Sequence, residues 1–262
     1  MKLKTTILCG GKGIRIRDVS HDVPKPMVSI GNRPILWHIM KSYAAEGFDD
    51  FILCLGYKGH VIKEFFLNYE AFTNDFSLTL GADKQIDYHG NSDETGWRVT
   101  LADTGLETMT GARVRKVRRY VGDAEHFMLT YGDGVSDVDL GKLVDFHLSH
   151  GKIMTVTGVR PPGRFGEIES DTDGLVTEFN EKPQATGGRI SGGFFVCRRD
   201  LFDYLDDNDD LVLEQESMRK LARDGEMALY KHDGFWQCMD TYRDYKLLND
   251  LWHGGAAPWS RR

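Results

Sequence analysis

The sequence predicts an α/β fold: a mixed, mainly parallel, doubly wound (Rossmann-like) sheet flanked by helices, with a smaller, more antiparallel second part. Through the first half of the chain, short apolar runs alternate with segments whose apolar residues recur at helical spacing. Repeated strand and helix units favour right-handed crossovers and a parallel sheet covered on both faces. In the second half, an Asp-Gly pair stands between two alternating runs, which is typical of a β-hairpin.

Each element of the first half follows from its residue pattern. A strand is predicted at TTILC, and a helix at PILWHIMKSYAAEG, where Pro34 suits the first turn and Gly47 the end. The next strand is FILCL, followed by the helical pattern HVIKEFFLNYEAF and a third strand at FSLTLG. Farther on, we expect a strand at HFMLTYGDG, a helix at DLGKLVDFHLSHG and a strand at KIMTVTGV.

Two other segments depart from this alternation. From about Gln85 to Leu101 the chain reads QIDYHG, NSDETG and WRVTLAD, which we interpret as an inserted strand pair around a polar turn, near 85–101. From Arg164 onward, GEIESDTDGLVTEFNEKP predicts a hairpin. The segment YRDYKLLNDLWHGGAAPW predicts a helix that ends at Gly254 and Gly255 and packs against the body or a second subunit.

Composition excludes several classes of protein. The net charge of -7 over 262 residues argues against a surface that coats nucleic acid or anionic membrane. No apolar run approaches the roughly 20 residues that cross a bilayer, and the N-terminus lacks a signal-peptide core. The four scattered cysteines form no CxxC motif and resemble small buried hydrophobic residues. We therefore expect a cytoplasmic protein with no nucleic-acid or membrane partner.

A glycine-rich turn suggests a phosphate site. The stretch CGGKGIRIR places three glycines directly behind the first apolar run, at Gly10, Gly11 and Gly13. Such a turn lets backbone N–H groups approach phosphate oxygens, although a tight turn without a ligand is the alternative, and neither standard nucleotide motif is satisfied. Arg15, and Lys25 between two stiffening prolines, add two held cations. This combination suits a triphosphate.

Nine motifs, in order over nearly the whole chain, resemble those of the sugar-1-phosphate nucleotidylyltransferases, most closely the members that use CTP. They are CGGKGIRIR, PKPM, PILWHIM, GYKG, YGDGVSD, PPGRFGEI, EFNEKP, GGFFV and GFWQCMDTYRD. The resemblance implies one nucleotidyltransferase domain over 1–262, with a nucleotide-binding core at about 1–160 and an antiparallel sugar-binding part with a C-terminal helix at about 161–262. It implies transfer of CMP from CTP to a sugar 1-phosphate, α-D-glucose 1-phosphate, with release of pyrophosphate and formation of CDP-glucose.

A magnesium site is expected at the carboxyl edge of the sheet. The apolar strand that ends in YGDG places Asp133 at this edge, where open α/β folds bind ligands, although an aspartate that caps the next turn is the alternative. The resemblance implies Asp240 as the second ligand, and Mg²⁺ takes few carboxylates. It also implies catalytic roles for Arg15 on the departing phosphates, Lys25 near the α-phosphate and Asp133 on the metal.

The sugar and base contacts also come from the resemblance. It implies that Lys182 binds the hexose phosphate, that Glu181 accepts hydrogen bonds from the hydroxyls and that Gly166 lets the ring approach the backbone. From residue type alone, the pair at 181–182 reads as a solvated hairpin pair. Arg113 matches a position expected near the sugar phosphate, and Ser191 stands at a position expected to contact the sugar. The pyrimidine edge is expected against Thr104 and the backbone of Gly111.

Two residues depart from the family pattern. Ile14 stands where threonine is usual, which removes a hydroxyl contact beside the phosphates. Ser191 stands where the CTP-dependent members have asparagine, a longer side chain that carries both a donor and an acceptor. The second departure puts the identity of the sugar in doubt.

Other functions stay open from the sequence. The close alternative is an enzyme that uses UTP or dTTP. A non-catalytic paralogue that binds sugar nucleotides would typically lose the arginine, lysine or aspartates, and all four are present. A nucleotide-sugar glycosyltransferase would not explain the glycine-rich turn with PKPM. The resemblance implies a homo-oligomer, and the histidines of the helical patterns are expected to be packing or surface residues rather than acids or bases.

Overall fold

The computed structural model describes residues 2–13, 23–81, 85–90, 94–161, 167–170, 175–180 and 188–260. The strands in these ranges are β1 (Lys4–Leu8), β2 (Ser29–Ile30), β3 (Arg33–Pro34), β4 (Asp50–Leu55), β5 (Asp75–Thr79), β6 (Gln85–His89), β7 (Arg98–Asp103), β8 (His126–Tyr131), β9 (Gly134–Ser136), β10 (Met154–Val159), β11 (Glu167–Ser170), β12 (Val176–Asn180), β13 (Ile190–Arg198), β14 (Met227–His232) and β15 (Trp236–Cys238).

The α-helices are α1 (Ile35–Ala44), α2 (Gly59–Leu67), α3 (Tyr69–Thr73), α4 (Thr110–Lys116), α5 (Arg118–Val121), α6 (Leu140–His150), α7 (Met218–Arg223) and α8 (Tyr242–His253). Shorter or tighter helical segments lie at Lys25–Met27, Arg199–Tyr204 and Leu213–Ser217. Within the described ranges, no helix has the length and apolar character needed to cross a bilayer.

The main sheet confirms the predicted fold class. Its seven strands follow the order β14-β10-β13-β8-β1-β4-β7. The pairs β1–β8, β1–β4, β4–β7 and β10–β14 are parallel, and only β13 runs against its two neighbours. Four parallel strands, β8, β1, β4 and β7, therefore present their carboxyl ends along one edge, where a ligand site is expected.

Two hydrophobic clusters cover the two faces of the sheet. Along β4, Phe51 and Leu53 belong to one cluster, whereas Ile52 and Cys54 belong to the other. This alternation is the period-2 pattern of a strand buried on both faces. The first cluster includes residues of α1, α6 and α8, and the second includes residues of α4 and α7. Helices therefore flank both faces, as predicted.

The strands predicted in residues 75–101 are present, but their expected pairing was wrong. The segment FSLTLG does not enter the main sheet, because β5 pairs antiparallel with β6 in a separate hairpin whose residues are all exposed. The inserted strand pair near 85–101 does not form either, because β7 joins the main sheet parallel to β4, with Val99 opposite Phe51. Alternating apolar residues in the exposed hairpin produced the same sequence signal as a half-buried strand.

Other predicted elements are confirmed, with one helix divided. The pattern at 60–72 forms α2 and α3, which meet at Asn68, and only Ile62 of its apolar face is buried. The hairpin after Arg164 is present as β11 and β12. The C-terminal segment packs on the body of its own chain, where Trp259 is 2% exposed and its Nε1 donates to Nδ1 of His38.

Candidate active site

Two short strands bring Asp133 and Asp240 together. Asp133 follows β8 at the carboxyl edge of the sheet, and β9 begins at the next residue. β15 pairs antiparallel with β9, with Cys238 opposite Gly134, so the chain leaves β15 beside Asp133. The backbone N–H of Met239 then donates to the carbonyl oxygen of Asp133 at 2.8 Å. This pairing explains how two aspartates that are distant in sequence lie close together.

Lys25 connects the two carboxylates. Its Nζ lies 2.6 Å from Oδ2 of Asp133 and 2.5 Å from Oδ1 of Asp240. The lysine side chain is only 13% exposed. Burial alone would lower the pKa of the ammonium, but the charge of Asp133 and hydrogen bonds to both aspartates raise it above its ordinary value. The side chain of Lys25 is therefore kept in its charged, ammonium form.

The donor set fits a hard divalent cation. Two carboxylates converge on one point, and the ammonium of Lys25 found there shows that the pair attracts positive charge. Among the described residues, no group of three or more His, Cys, Asp or Glu side chains could hold a metal. Mg²⁺ accepts few protein carboxylates and completes its shell with water and phosphate oxygens, so two aspartates suffice.

The glycine-rich loop follows β1 and lies beside the cluster of Lys25, Asp133 and Asp240. Gly13 has φ +57°, a left-handed conformation that favours glycine, and a side chain there would meet Cβ of Lys25 at 3.0 Å. At Gly10 a Cβ atom would lie 2.2 Å from Nη1 of Arg113. In contrast, a Cβ atom at Gly11 would meet open space. The loop is therefore packed against the protein on one side and open on the other.

Arg113 is placed beneath the loop. It is 4% exposed, and its guanidinium donates to backbone carbonyls at or just after the carboxyl ends of three different strands. The acceptors are Gly10 O after β1, Leu55 O in β4, and Gly105 O and Leu106 O after β7, at 2.8–3.3 Å. Nη1 also lies 2.6 Å from Oγ1 of Thr104. These contacts join the loops that surround the cleft, while contact with a sugar phosphate stays a prediction.

The structure does not direct Thr104 and Gly111 toward a base. Oγ1 of Thr104 donates to the carbonyl of Leu55 at 2.7 Å, and the residue is 2% exposed. Gly111 lies in α4, and its backbone N–H donates to the carbonyl of Leu211, outside this helix, at 2.9 Å. Their polar groups are therefore already satisfied within the protein. Contact of Thr104 and Gly111 with a base stays a prediction.

The loop between β7 and α4 supplies residues that sequence reasoning missed. A cleft of about 560 Å³ extends from the glycine-rich loop to this loop and to Asp133 and Asp240. Leu106 and Met109 line it and are 54% and 42% exposed. Across the cleft, Nζ of Lys12 pairs with Oε2 of Glu107 at 2.8 Å. Apolar residues inside the polar stretch DTGLETMTG were the available signal.

Ser191 lies in β13, opposite Gly158, and is exposed. It is not among the described residues that line the cleft. Nearby, a side chain on Gly193 would lie 2.4 Å from the ring of Tyr131, which does line the cleft. The hydroxyl of Tyr131 donates to Glu214, whose other oxygen accepts from Thr110 at 2.7 Å. The predicted sugar contact of Ser191 stays a prediction.

Asp244 is a second supporting residue that the sequence analysis did not single out. Its Oδ2 accepts from the backbone N–H groups of Asp240 and Thr241 at 3.0 and 2.8 Å, while Oδ1 accepts from Gln237. With Thr241 it forms a capping box at the start of α8. The threonine and aspartate three residues apart in DTYRD were the signal. This network fixes the turn that carries Asp240.

Four predicted site residues lie outside the described residues, together with the departure at Ile14. They are Arg15, Gly166, Glu181 and Lys182.

Residues 4–249 match the family model for nucleotidyl transferases. The chain is 48% identical to a glucose-1-phosphate cytidylyltransferase of Salmonella typhi, over 98% of each chain. It is 28% identical to a mannose-1-phosphate guanyltransferase of Kluyveromyces lactis, over 93% of this chain and 63% of that protein. The crystal structure of HddC from Yersinia pseudotuberculosis complexed with GMP-PN shares the fold, with a TM-score of 0.69, 21% identity, and coverage of 95% and 99%.

Proposed function

Because the chain belongs to the nucleotidyl transferase family, we propose that it transfers CMP from CTP to α-D-glucose 1-phosphate, which gives CDP-glucose and pyrophosphate. The 48% identity to a glucose-1-phosphate cytidylyltransferase extends over nearly the full length of both chains. The observation that carries the proposal is the contact of Lys25 with Asp133 and Asp240, beside a glycine-rich loop at the carboxyl edge of the sheet.

The reaction needs no general base. A phosphate oxygen of the sugar 1-phosphate, already anionic, attacks the α-phosphorus of CTP in line, and the bond from that phosphorus to the bridging oxygen of the β-phosphate breaks. Both electrons of this bond leave with pyrophosphate. Catalysis then depends on alignment and on neutralisation of phosphate charge. The two buried histidines of the helical patterns, His38 and His147, are held by hydrogen bonds inside the protein, which agrees with this view.

The chain's own residues divide this work. Backbone groups at Gly10, Gly11 and Gly13 bind the triphosphate. Lys25 neutralises the α-phosphate, and Arg15 neutralises the departing phosphates. On the sugar side, Lys182 binds the attacking phosphate, and Glu181 and Gly166 hold the hexose ring.

Asp133 and Asp240 would hold Mg²⁺. When bound there, Mg²⁺ supplies positive charge to the triphosphate and so favours departure of pyrophosphate. Two carboxylates suffice for a metal that keeps water and phosphate oxygens in its shell, and in the described part of the chain no third acidic side chain joins them as a metal ligand. Arg113 and Asp244 contribute by holding the loops that carry Gly10 and Asp240.

The choice of base involves the loop between β7 and α4. Leu106 and Met109 line the cleft and offer apolar surface for the face of a pyrimidine. Thr104 and the backbone of Gly111 remain proposed contacts of the pyrimidine edge. For the sugar, Ser191 and Arg113 remain proposed contacts.

The test is release of pyrophosphate in the presence of Mg²⁺. CTP, UTP, dTTP and ATP are each combined with glucose 1-phosphate and with other hexose 1-phosphates, and Asp133→Asn serves as the inactive control. Release confined to CTP with glucose 1-phosphate supports the proposal. Activity with CTP and only another sugar would make Ser191 a specificity residue. If folded protein releases no pyrophosphate from any pair, the enzyme proposal fails.

We also propose that the protein is a cytoplasmic homo-oligomer. All four cysteines are free, which suits a reducing compartment. The hairpin of β5 and β6 exposes Phe76, Leu78, Ile86 and Tyr88, and exposed apolar patches of this kind commonly mark interfaces. Sedimentation velocity tests the assembly, because a homo-oligomer must show a multiple of the 29.7 kDa chain mass.

A further inference from the structure

Lys25 occupies the place between the two aspartates. Its Nζ is within 2.6 Å of one oxygen from each carboxylate. The side chains of Lys25 and Asp240 are 13% and 19% exposed, so water screens this contact only partly. One ammonium thus serves as the counter-ion of both carboxylates.

A divalent cation would need the same oxygens. Magnesium binds carboxylate oxygen at about 2.0–2.1 Å, so it would have to enter the space that Nζ occupies. Two cations at such short range repel each other strongly in a partly buried site. The ammonium and the metal therefore exclude each other as long as Lys25 keeps its present position.

The glycine-rich loop, at which the proposed function places the triphosphate, offers Lys25 a second partner. Lys25 begins a short helical turn directly beside Gly13. A Cβ atom added to Gly13 would lie 3.0 Å from Cβ of Lys25. Its four-carbon stem can therefore direct the ammonium either to the aspartates or to a phosphate group at the loop, by rotation of side-chain bonds alone.

We propose that Lys25 is a displaceable counter-ion, which keeps divalent metal out of the pair Asp133–Asp240 until a nucleotide phosphate takes over the ammonium. The inference rests on the proposed function, because it requires a phosphate ligand at the loop. It makes metal and nucleotide binding mutually reinforcing: nucleotide releases the carboxylates for the metal, and metal releases the ammonium for the phosphate. Reciprocity of binding free energies demands both effects.

The first experiment measures binding of Mn²⁺ to the full chain without nucleotide, by electron paramagnetic resonance of the free ion. Wild type is compared with Lys25→Met, which keeps the length of the side chain and removes its charge. The matched control is Lys12→Met, which also removes one cation from the cleft. Lys12 pairs with Glu107 and not with the two aspartates. We expect Lys25→Met to bind Mn²⁺ at least about tenfold more tightly, within the roughly 5- to 150-fold range of coupled sites, and Lys12→Met to change far less.

Equal Mn²⁺ affinity in wild type and Lys25→Met, or equal tightening in both variants, would overturn the proposal, because general charge would then explain the effect. Circular dichroism checks that the variants are folded.

A second measurement uses unmodified wild type, so it does not depend on a variant. Acetylation of Lys25 is followed by mass spectrometry in the apo protein, with Mn²⁺ alone at saturation, and with CTP and Mn²⁺ together. We expect saturating Mn²⁺ to increase the reactivity of Lys25, because the ammonium leaves the carboxylates. CTP should increase the affinity for Mn²⁺ in wild type and have a smaller effect in Lys25→Met.

Unchanged reactivity of Lys25 at saturating Mn²⁺ would contradict displacement. Neither binding measurement requires turnover. Failure of pyrophosphate release would therefore refute the proposed reaction without deciding whether metal displaces Lys25. Likewise, a failed displacement test would leave the proposed reaction standing.

Discussion

The guanidinium of Arg113 lies directly beneath Gly10, so close that a methyl group on the glycine would come within 2.2 Å of Nη1. The same guanidinium accounts for a second glycine, Gly56, where a Cβ atom would lie 2.6 Å from Nη1. Two glycines at the carboxyl ends of neighbouring strands are thus required by one buried cation. The arginine, in turn, is held by the carbonyl groups of those loops.

A methyl group at Gly10 should destabilise the fold. We expect Gly10→Ala to lower the free energy of unfolding by about 1–3 kcal/mol, as overpacking does in close-packed sites. Gly11→Ala is the matched control, since its Cβ would meet open space, and a change within about 0.5 kcal/mol is expected. Urea unfolding measures both. Equal losses in the two variants would show that Arg113 readily moves away.

Shortening Arg113 should separate the loops around the cleft. Arg113→Lys cannot reach the carbonyls after β1, β4 and β7 at once, and each buried group that is left without a partner costs about 1–3 kcal/mol. We expect lower stability and a KM for CTP raised by roughly tenfold, the equivalent of about 1.4 kcal/mol. Arg119→Lys, at an exposed arginine, is the control. A KM effect confined to the sugar phosphate would instead support direct contact of Arg113 with that substrate.

Removing the charge of Asp244 should disturb Asp240. Asp244→Asn weakens the acceptor that holds the N–H groups of Asp240 and Thr241, and loss of such a cap costs about 1 kcal/mol. We expect weaker binding of Mn²⁺ in the presence of CTP, measured by calorimetry. Asp250→Asn, which loses only an exposed pair with Lys246, should leave metal binding unchanged. If both variants bind Mn²⁺ as wild type does, Asp244 serves α8 alone.

His38 should make the protein sensitive to acid. Burial lowers the pKa of His38 from 6.5 to about 4 and outweighs the hydrogen bond between Nε2 and the carbonyl of Ile30, which acts in the opposite direction. Nδ1 accepts from Nε1 of Trp259, so a proton on Nδ1 would break that hydrogen bond. Between these values the unfolded chain binds the proton that the folded protein rejects. Stability is therefore fully present above pH 6.5 and is lost as pH falls toward 4, by about 2–3 kcal/mol.

Unfolding in urea at several pH values checks this prediction. His38→Gln should reduce the dependence of stability on pH in that window by up to one proton, whereas His60→Gln, at an exposed histidine, should leave it unchanged. If the stability of His38→Gln depends on pH as strongly as that of wild type, groups other than His38 cause the acid sensitivity.

The strands of the main sheet could be predicted where a strand is buried on both faces. The runs at β1, β4 and β8 are apolar and short, so they carry their own signal. The pairing of β7 with β4 joins segments that are distant in sequence, and local alternation carries no information about which strand is the partner. The exposed alternation at Phe76 and Leu78 therefore misled the interpretation.

The site was predictable in part. Asp133 could be placed at the carboxyl edge, because the preceding strand, β8, ends at Tyr131. The burial of Arg113 and the engaged hydroxyl of Thr104 could not be anticipated, because an arginine within a basic run looks the same whether it is solvated or enclosed. Only the packing of three loops around one guanidinium distinguishes these cases.

The pairing of β9 with β15 also sets the time at which the cluster can form during synthesis. Asp133 leaves the ribosome well before Asp240, and domains are generally completed from the N-terminal side. Until β15 has emerged and paired with β9, Lys25 faces one carboxylate instead of two. A nascent chain that ends before residue 236 therefore lacks Asp240, so the site is incomplete until the C-terminal segments have been translated.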